Sequence, residues 1–147
     1  MGTQENKANA TRFLEEVMNR GNLSVIDDLT GKDFVDHQAP PGVPPTPEGF
    51  KAFVTMFRAA FPDLHYTLDD TIAEGDKVVT YTTAHGTMKG DLMGMPASGK
   101  SATWSEIHIT RFENGKAAEH WGVVDQLGML VQLGFAQAPG QPVGAAQ

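Results

Sequence analysis

Two titratable side chains, Glu106 and His108, lie two residues apart in a β-prone run of the sequence. Alternate residues of a strand point to the same face, so this spacing predicts that Glu106 and His108 share one face while Ile107 and Ile109 occupy the other. If the isoleucines pack under a helix, the first face lines an interior cavity, where a carboxylate and an imidazole would perturb each other's pKa. The pair could then serve as a general base. The alternative is that Glu106 and His108 face solvent or a partner subunit.

A second histidine, His120, joins this group in one of two strand registers. A three-residue turn over 113–115 would place His108 opposite His120 and gather Glu106, His108 and His120 on one face as candidate catalytic residues. A two-residue turn would shift the register by one and place Trp121 opposite His108 instead. We favour the three-residue turn. Three residues of metal-ligand type on one face could also bind zinc, but their spacing matches no short zinc motif, so no metal is expected.

The elements that must position these residues follow from hydrophobic periodicity. A first helix carries its apolar stripe from Ala10 to Met18, a short second helix spans 23–29, and a third begins at Thr46 with Pro47 in its first turn. From residue 64 onward the period changes to two, which predicts strands at 64–72, 78–83, 103–112 and 116–125. Asp125 is then a plausible cap for a last helix that Gly134 ends. Helices placed ahead of a strongly bent antiparallel sheet predict an α+β fold.

Composition restricts the classes of function. The chain has 147 residues, a net charge of -7 and no cysteine, which fits one ordinary domain without disulfides or thiolate chemistry. Its basic residues are not clustered, so nucleic acid is not an expected partner. The polar N-terminus and the lack of a long apolar run predict neither secretion nor membrane insertion, and the cytoplasm is the expected location.

Short motifs spread along the chain, taken together, resemble those of the SnoaL-like polyketide cyclase or ester cyclase family, which has a nuclear-transport-factor-like cone fold. The resemblance covers roughly residues 6 to 134 and implies a single domain over 1–134. The remaining residues, 135–147, have no charge and no periodicity, so we expect this tail to be loose or to lie on a partner subunit. The motifs that carry the resemblance are Phe61-Pro62-Asp63-Leu64, Glu74-Gly75-Asp76-Lys77-Val78, Gly86-Thr87, Gly94-Met95-Pro96 with Gly99-Lys100, Asn114-Gly115-Lys116, Glu119-His120-Trp121 and Asp125-Gln126-Leu127-Gly128.

The resemblance implies a curved sheet around an apolar cavity that the first three helices close, and a homodimer. The implied chemistry is the intramolecular aldol closure of a polyketide ester, without a metal or an organic cofactor. In the family, an aspartate commonly follows the Glu-His-Trp run as acid and base, whereas this chain has Gly122 there. A family histidine is also replaced, by Met88.

Further residues are candidates for ligand binding. His37 and Gln38 match a family position at the mouth of the cavity, although a polar pair before a proline-rich loop could simply be part of the loop. Tyr81 could place its hydroxyl in the pocket. Apolar and adaptable walls, suited to a flat hydrophobic ligand, are predicted from side chains that could equally be ordinary core: Phe57, Met88, Met93, Met95 and Trp104.

Three functions compete at this point. The first is a cyclase-like enzyme that acts on a small hydrophobic carbonyl compound with Glu106, His108 and His120. The second is a catalytically silent member of the fold that binds an apolar metabolite. The third is epoxide hydrolysis, for which Arg58 and Arg111 are available but do not fall among interior carboxylates. Asp125 could replace the missing aspartate, but the sequence better supports its role as a helix cap.

Overall fold

The computed structural model describes residues 2–140, and within them one sheet is covered on one side by helices. The helices are α1 (Thr3–Arg12), a π-helical continuation (Phe13–Asn19), α2 (Ser24–Leu29), α3 (Pro47–Ala60) and α4 (Gln126–Leu133). The strands are β1 (Thr30–Asp36), β2 (His65–Glu74), β3 (Lys77–Thr87), β4 (Ser101–Glu113) and β5 (Lys116–Val124). None of the helices in this part of the chain has the length and apolarity to cross a membrane.

The five strands are arranged in the order β1-β5-β4-β3-β2. The pairs among β2, β3, β4 and β5 are antiparallel, whereas β1 runs parallel to β5. The predicted α+β class and curved sheet are confirmed. The sequence predicted only an extended segment around Phe34, and the structure adds this segment to the sheet edge, where Asp36 pairs with His120.

The β4–β5 hairpin corrects both predicted registers. The turn has two residues, Asn114 and Gly115, which adopt positive φ angles of 52° and 79° as type I′ turns require. The ladder then shifts by one residue between Arg111 and Phe112, so His108 lies opposite Gly122. It lies opposite neither His120 nor Trp121. Because the extra residue of this bulge offsets the shorter turn, His120 still points to the same face as Glu106 and His108.

Two predicted helix starts are confirmed by side-chain caps. The Thr46 hydroxyl accepts a hydrogen bond from the Gly49 N–H at 3.2 Å, ahead of Pro47 in the first turn of α3. The Asp125 carboxylate accepts one from the Gly128 N–H at 3.0 Å, and α4 ends at Gly134 with a φ of 92°. Both helices therefore have fixed ends beside the sheet.

The main hydrophobic core lies between the helices and the concave face of the sheet. Its most deeply buried side chains include Val17, Ile26, Val54 and Phe61. Phe135, where the loose tail was predicted to begin, packs against this core. Residues 141–147 of that predicted tail lie outside the described residues.

Candidate active site

A cavity of about 570 Å³ lies between the concave face of the sheet and the helices. Its walls are largely aromatic and aliphatic, with rings contributed by the first helical segment, by α3 and by β4. Among its lining residues within 2–140, the titratable side chains are Asp36, Tyr66, Glu106, His108 and His120. The cavity therefore combines apolar walls with one concentrated group of acids and bases.

Four of these side chains form a continuous hydrogen-bonded chain, which we call the relay: Asp36, His120, His108 and Glu106. Asp36 Oδ1 lies 2.8 Å from His120 Nδ1, His120 Nε2 lies 2.8 Å from His108 Nδ1, and His108 Nε2 lies 2.7 Å from Glu106 Oε1. The two imidazole rings stack with centroids 5.0 Å apart. The relay thus joins two carboxylates through two imidazoles, and every ring nitrogen takes part in a hydrogen bond.

The Glu106 end of the relay is buried, with 5% of the residue exposed. Its Oε2 accepts hydrogen bonds from the indole Nε1–H of Trp104 at 2.7 Å and from the hydroxyl of Tyr66 at 3.0 Å. Burial, reinforced by the nearby Glu106 charge, raises the pKa of Tyr66 well above its ordinary value, so the phenol keeps the proton that it donates. These donors replace the water that a buried carboxylate loses.

The Asp36 end is held by the backbone at the end of β1. Asp36 is 7% exposed, and its Oδ1 accepts a hydrogen bond from the Gln38 N–H at 3.0 Å in addition to the contact with His120. The Phe50 ring lies nearly perpendicular to the His120 imidazole, with the ring centroids 6.5 Å apart. Burial lowers the pKa of His120, although its hydrogen bond to the Asp36 carboxylate opposes this shift. His120 is therefore held as a neutral imidazole near neutral pH.

Gly122 leaves space beside the centre of the relay. A Cβ at this position would lie 2.6 Å from His108 Nδ1 and would overlap Gln38 Oε1. The Gln38 side chain thus occupies the volume into which a residue 122 side chain would project. Gly122 is the residue that lets His108 and Gln38 approach each other here.

The structure brings most of the predicted site residues to the cavity. Those that line it are Glu106, His108 and His120 from the catalytic set, and Gln38, Phe57, Met93, Met95 and Trp104 from the binding set. Three others do not line it within the described residues: His37, Tyr81 and Met88.

The positions of these three residues have simple structural reasons. Tyr81 is 43% exposed on the outer face of the sheet, because the inward positions of β3 fall to its neighbours Thr80 and Thr82. Met88 is fully buried in the core. His37 points outward between inward-facing Asp36 and Gln38, where its ring stacks on Trp121 and its Nε2 lies 3.0 Å from Glu119 Oε1. The structure thus places these three side chains away from the cavity lining.

Sequence reasoning missed Asp36 and Tyr66. The signal for Asp36 was present, since a period of two from Phe34 also brings Asp36 and Gln38 to one face. Tyr66 shares its face with Leu68 in β2, and only the folded sheet shows that its hydroxyl reaches Glu106. No group of three or more His, Asp or Glu side chains within residues 2–140 is arranged to hold a metal ion.

Comparisons with known proteins point to one family. The model of the family described as SnoaL-like polyketide cyclase matches residues 8–133. Aklanonic acid methyl ester cyclase DauD of Streptomyces sp. (strain C5) is 35% identical over 123 residues, which are 83% of this chain and 67% of DauD. The corresponding cyclase DnrD of Streptomyces peucetius is 35% identical over 89 residues, which cover 60% of this chain and 61% of DnrD.

A solved structure supports the same relationship in three dimensions. The structure of TsrD from Streptomyces laurentii superposes with a TM-score of 0.84 at 31% sequence identity, covering 92% of this chain and 99% of TsrD. The similarity therefore extends over nearly the whole fold, including the strands that carry the relay.

Proposed function

The chain belongs to the SnoaL-like polyketide cyclase family, and on this premise we propose that it is a cofactor-independent cyclase in which the relay supplies acid–base chemistry to a small hydrophobic carbonyl compound. The observation that carries the proposal is the relay itself, two imidazoles between two carboxylates at the wall of an aromatic cavity. Buried titratable groups are costly in an apolar environment and cluster at functional sites, which supports a chemical role for the relay.

The proposed reaction is an aldol closure within one molecule. A base removes a proton alpha to one carbonyl, the enolate carbon attacks a second carbonyl, and an acid protonates the resulting alkoxide. His108 and His120 are the proposed acid and base, and the two carboxylates orient the rings and stabilise positive charge on them. In the absence of a carboxylate at position 122, these imidazoles take over the role that the family's aspartate plays.

The proposed substrate class is a flat, aromatic polyketide ester. DauD and DnrD are named as cyclases of aklanonic acid methyl ester, and the cavity volume of about 570 Å³ falls within the range of small-molecule sites. The rings of Phe50, Phe53, Phe57 and Trp104 on the cavity wall suit such a molecule. Met93 and Met95 could adapt their side chains to its edge.

The epoxide-hydrolase alternative has no support from the arginines. Arg58 donates hydrogen bonds to the backbone oxygens of Met18 and Asn19, and Arg111 pairs with Glu113 and Glu119 on the outer face. Neither lines the cavity within the described residues. If the protein is instead a catalytically silent binder of an apolar metabolite, it should bind the ester without turnover.

The test is to incubate the protein with a panel of aromatic polyketide methyl esters and to follow ring closure by mass-coupled chromatography, with binding measured separately by calorimetry. The wild type should convert the substrate, and so should His85→Ala, a control at an exposed histidine whose Nδ1 lies 2.8 Å from the Thr103 hydroxyl. His108→Ala should lose on the order of 100-fold or more in turnover. Binding by the wild type without conversion of any ester would overturn the proposal.

A second copy of the chain is the proposed macromolecular partner. Tyr81, Ile107 and Val123 are paired across three adjacent strands and form an apolar row on the outer face of the sheet. Each is between 43% and 67% exposed. Burial of this row against the same row of a second copy would give a two-fold symmetric interface.

A further inference from the structure

We propose that the relay holds three protons in the resting protein, one in each link, and that the proton between His108 Nδ1 and His120 Nε2 is the acid of the proposed cyclisation. The use of this proton rests on the proposed function. The number of protons rests only on the geometry of the relay, and it can be tested without a substrate.

The direction of the two outer hydrogen bonds follows from the other donors that reach Glu106 and Asp36. Glu106 Oε2 accepts from Trp104 Nε1–H, which is only a donor, and from the Tyr66 hydroxyl. These two donors favour the ionised form of Glu106, and with Glu106 ionised its Oε1 accepts from His108 Nε2–H across 2.7 Å. At the other end, Asp36 Oδ1 accepts from the Gln38 N–H, which favours the ionised carboxylate, and with Asp36 ionised the same oxygen accepts from His120 Nδ1–H across 2.8 Å.

The middle link then admits only one proton. With both outer ring nitrogens protonated, His108 Nδ1 and His120 Nε2 face each other at 2.8 Å. Without a proton, two lone pairs would oppose each other, and with two protons, two N–H groups would collide. One proton makes a hydrogen bond, so the two rings together form one imidazolium and one imidazole. With both carboxylates ionised, the relay has a net charge of -1.

Within this proposal, the positive charge of the pair is assigned mainly to His108, which has the more exposed side chain of the two. His120 has the less exposed side chain, 13% against 22% for His108, and burial lowers its pKa. His108 is in direct contact with the Glu106 carboxylate. Asp36 from β1 also faces the pair, and Tyr66 from β2 reaches it indirectly, through its hydrogen bond to Glu106. From α3, the side chain that packs against the pair is the uncharged Phe50 ring.

This proton inventory gives a balanced reaction without a carboxylate at position 122. The shared proton moves to the oxygen of the attacked carbonyl, and the proton of the alpha carbon moves to the imidazole nitrogen that has been vacated. One C–H bond, one N–H bond and the π bond of the attacked carbonyl are broken, while one C–C bond, one O–H bond and one N–H bond are formed. The relay ends with three protons again, ready for the next turnover.

The experiment is nitrogen NMR of the full chain labelled with ¹⁵N-histidine, recorded without substrate between pH 5 and 9. His108→Gln and His120→Gln assign the two rings, and His37→Gln, His65→Gln and His85→Gln assign the others. At neutral pH we expect His108 to carry protons on both nitrogens, His120 to carry one on Nδ1, and the shared proton to resonate far downfield. Two neutral imidazoles, or two imidazolium ions, at neutral pH would overturn the proposal.

A second variant tests the electrostatic part. Asp36→Asn keeps an oxygen for His120 but removes one of the two flanking negative charges. We expect the pair to lose its shared proton at a pH lower by about 1 to 3 units, the usual effect of one adjacent charge, whereas Asp33→Asn, at an exposed position of the same strand, should leave it unchanged. An unchanged titration in Asp36→Asn would contradict the charge assignment.

The outcomes separate this inference from the proposed function. Three protons in the resting relay together with no turnover of any ester would refute the cyclase and leave the inventory intact. Turnover by a protein whose histidines hold a different number of protons would refute the inventory and leave the cyclase intact.

Discussion

Gly122 lies directly opposite His108 in the β4–β5 ladder, and a Cβ added at residue 122 would lie 2.6 Å from His108 Nδ1 and overlap Gln38 Oε1, so these side chains would have to shift. The space beside His108, where the resemblance predicts an aspartate side chain, is therefore occupied by the Gln38 side chain. Because residue 122 carries no carboxylate, His108 Nδ1 forms its hydrogen bond with His120 Nε2 instead.

Gly122→Ala should lower turnover while leaving the fold intact. The added Cβ would lie 2.6 Å from His108 Nδ1, so the imidazole must move and its contact with His120 must lengthen. We expect a loss of about 10-fold or more in kcat, since loss of the positioned acid and base costs about 100-fold to 10,000-fold. Turnover equal to that of the wild type would show that the His108–His120 contact is dispensable.

Gly122→Asp should not restore a conventional site by itself, because its carboxylate would compete with Gln38 for the same space. The double variant Gln38→Ala/Gly122→Asp removes that competitor and should bring turnover above that of Gly122→Asp alone. Steady-state kinetics of the two variants and of Gln38→Ala check this. Equal rates for both Gly122→Asp variants would show that Gln38 is not the obstacle.

Local sequence signals were sufficient for most elements of the fold. Thr46 and Asp125 cap their helices as their residue types and positions indicate, and the alternation of Glu106 with Ile107 and His108 correctly placed both titratable groups on the inner face. These features depend on neighbours within a few residues. Pattern reasoning works at that range because hydrogen bonds and faces are set locally.

The β4–β5 register and the Asp36 contact could not be predicted in the same way. The two-residue turn and the bulge near Arg111 each change the pairing by one residue, and only their combination returns His120 to the inner face. Asp36 reaches His120 through parallel pairing between strands more than eighty positions apart in sequence. Tertiary packing decides both features.

Tyr66→Phe should destabilise the fold because it removes one of the donors to the buried Glu106 carboxylate. Hydrogen bonds to charged groups contribute about 1.5 to 3 kcal/mol, so a decrease of that size in the free energy of unfolding is expected from urea denaturation. Tyr81→Phe is the matched control, since Tyr81 is the chain's other tyrosine and is exposed. A similar loss in both variants would argue against a specific role for the Tyr66 hydroxyl.

As the pH is lowered through the ordinary histidine range, the free energy of unfolding should decrease, partly because of His120. Burial lowers the pKa of this residue below 6.5 in the folded chain, so below about pH 6.5 the unfolded chain binds the extra proton first and unfolding becomes more favourable. His120→Gln should reduce the slope of stability against pH between about pH 5 and 6.5. His85→Gln is the control, and an unchanged slope in His120→Gln would refute the assignment.

Ile107→Glu should convert the proposed dimer into a monomer. Ile107 is at the centre of the apolar row on the outer face, between Tyr81 and Val123, and two glutamates facing each other across a two-fold axis would be both desolvated and repulsive. Sedimentation at micromolar concentration measures the result. Leu127→Glu, on α4 and similarly exposed, should remain dimeric, and a monomeric wild type would contradict the proposed interface.

Asp125→Ala should reduce stability but leave turnover unchanged wherever the variant is folded. Asp125 caps α4 through the Gly128 N–H, and loss of such a cap costs about 1 kcal/mol. Since Asp125 does not line the cavity within residues 2–140, its carboxylate has no route to a substrate that the relay holds. Asp125→Asn keeps an oxygen for the cap and should recover most of the lost stability. Urea denaturation measures the stability of both variants, and steady-state kinetics measure their turnover. Loss of turnover in folded samples of both variants would instead give Asp125 the role of the missing aspartate.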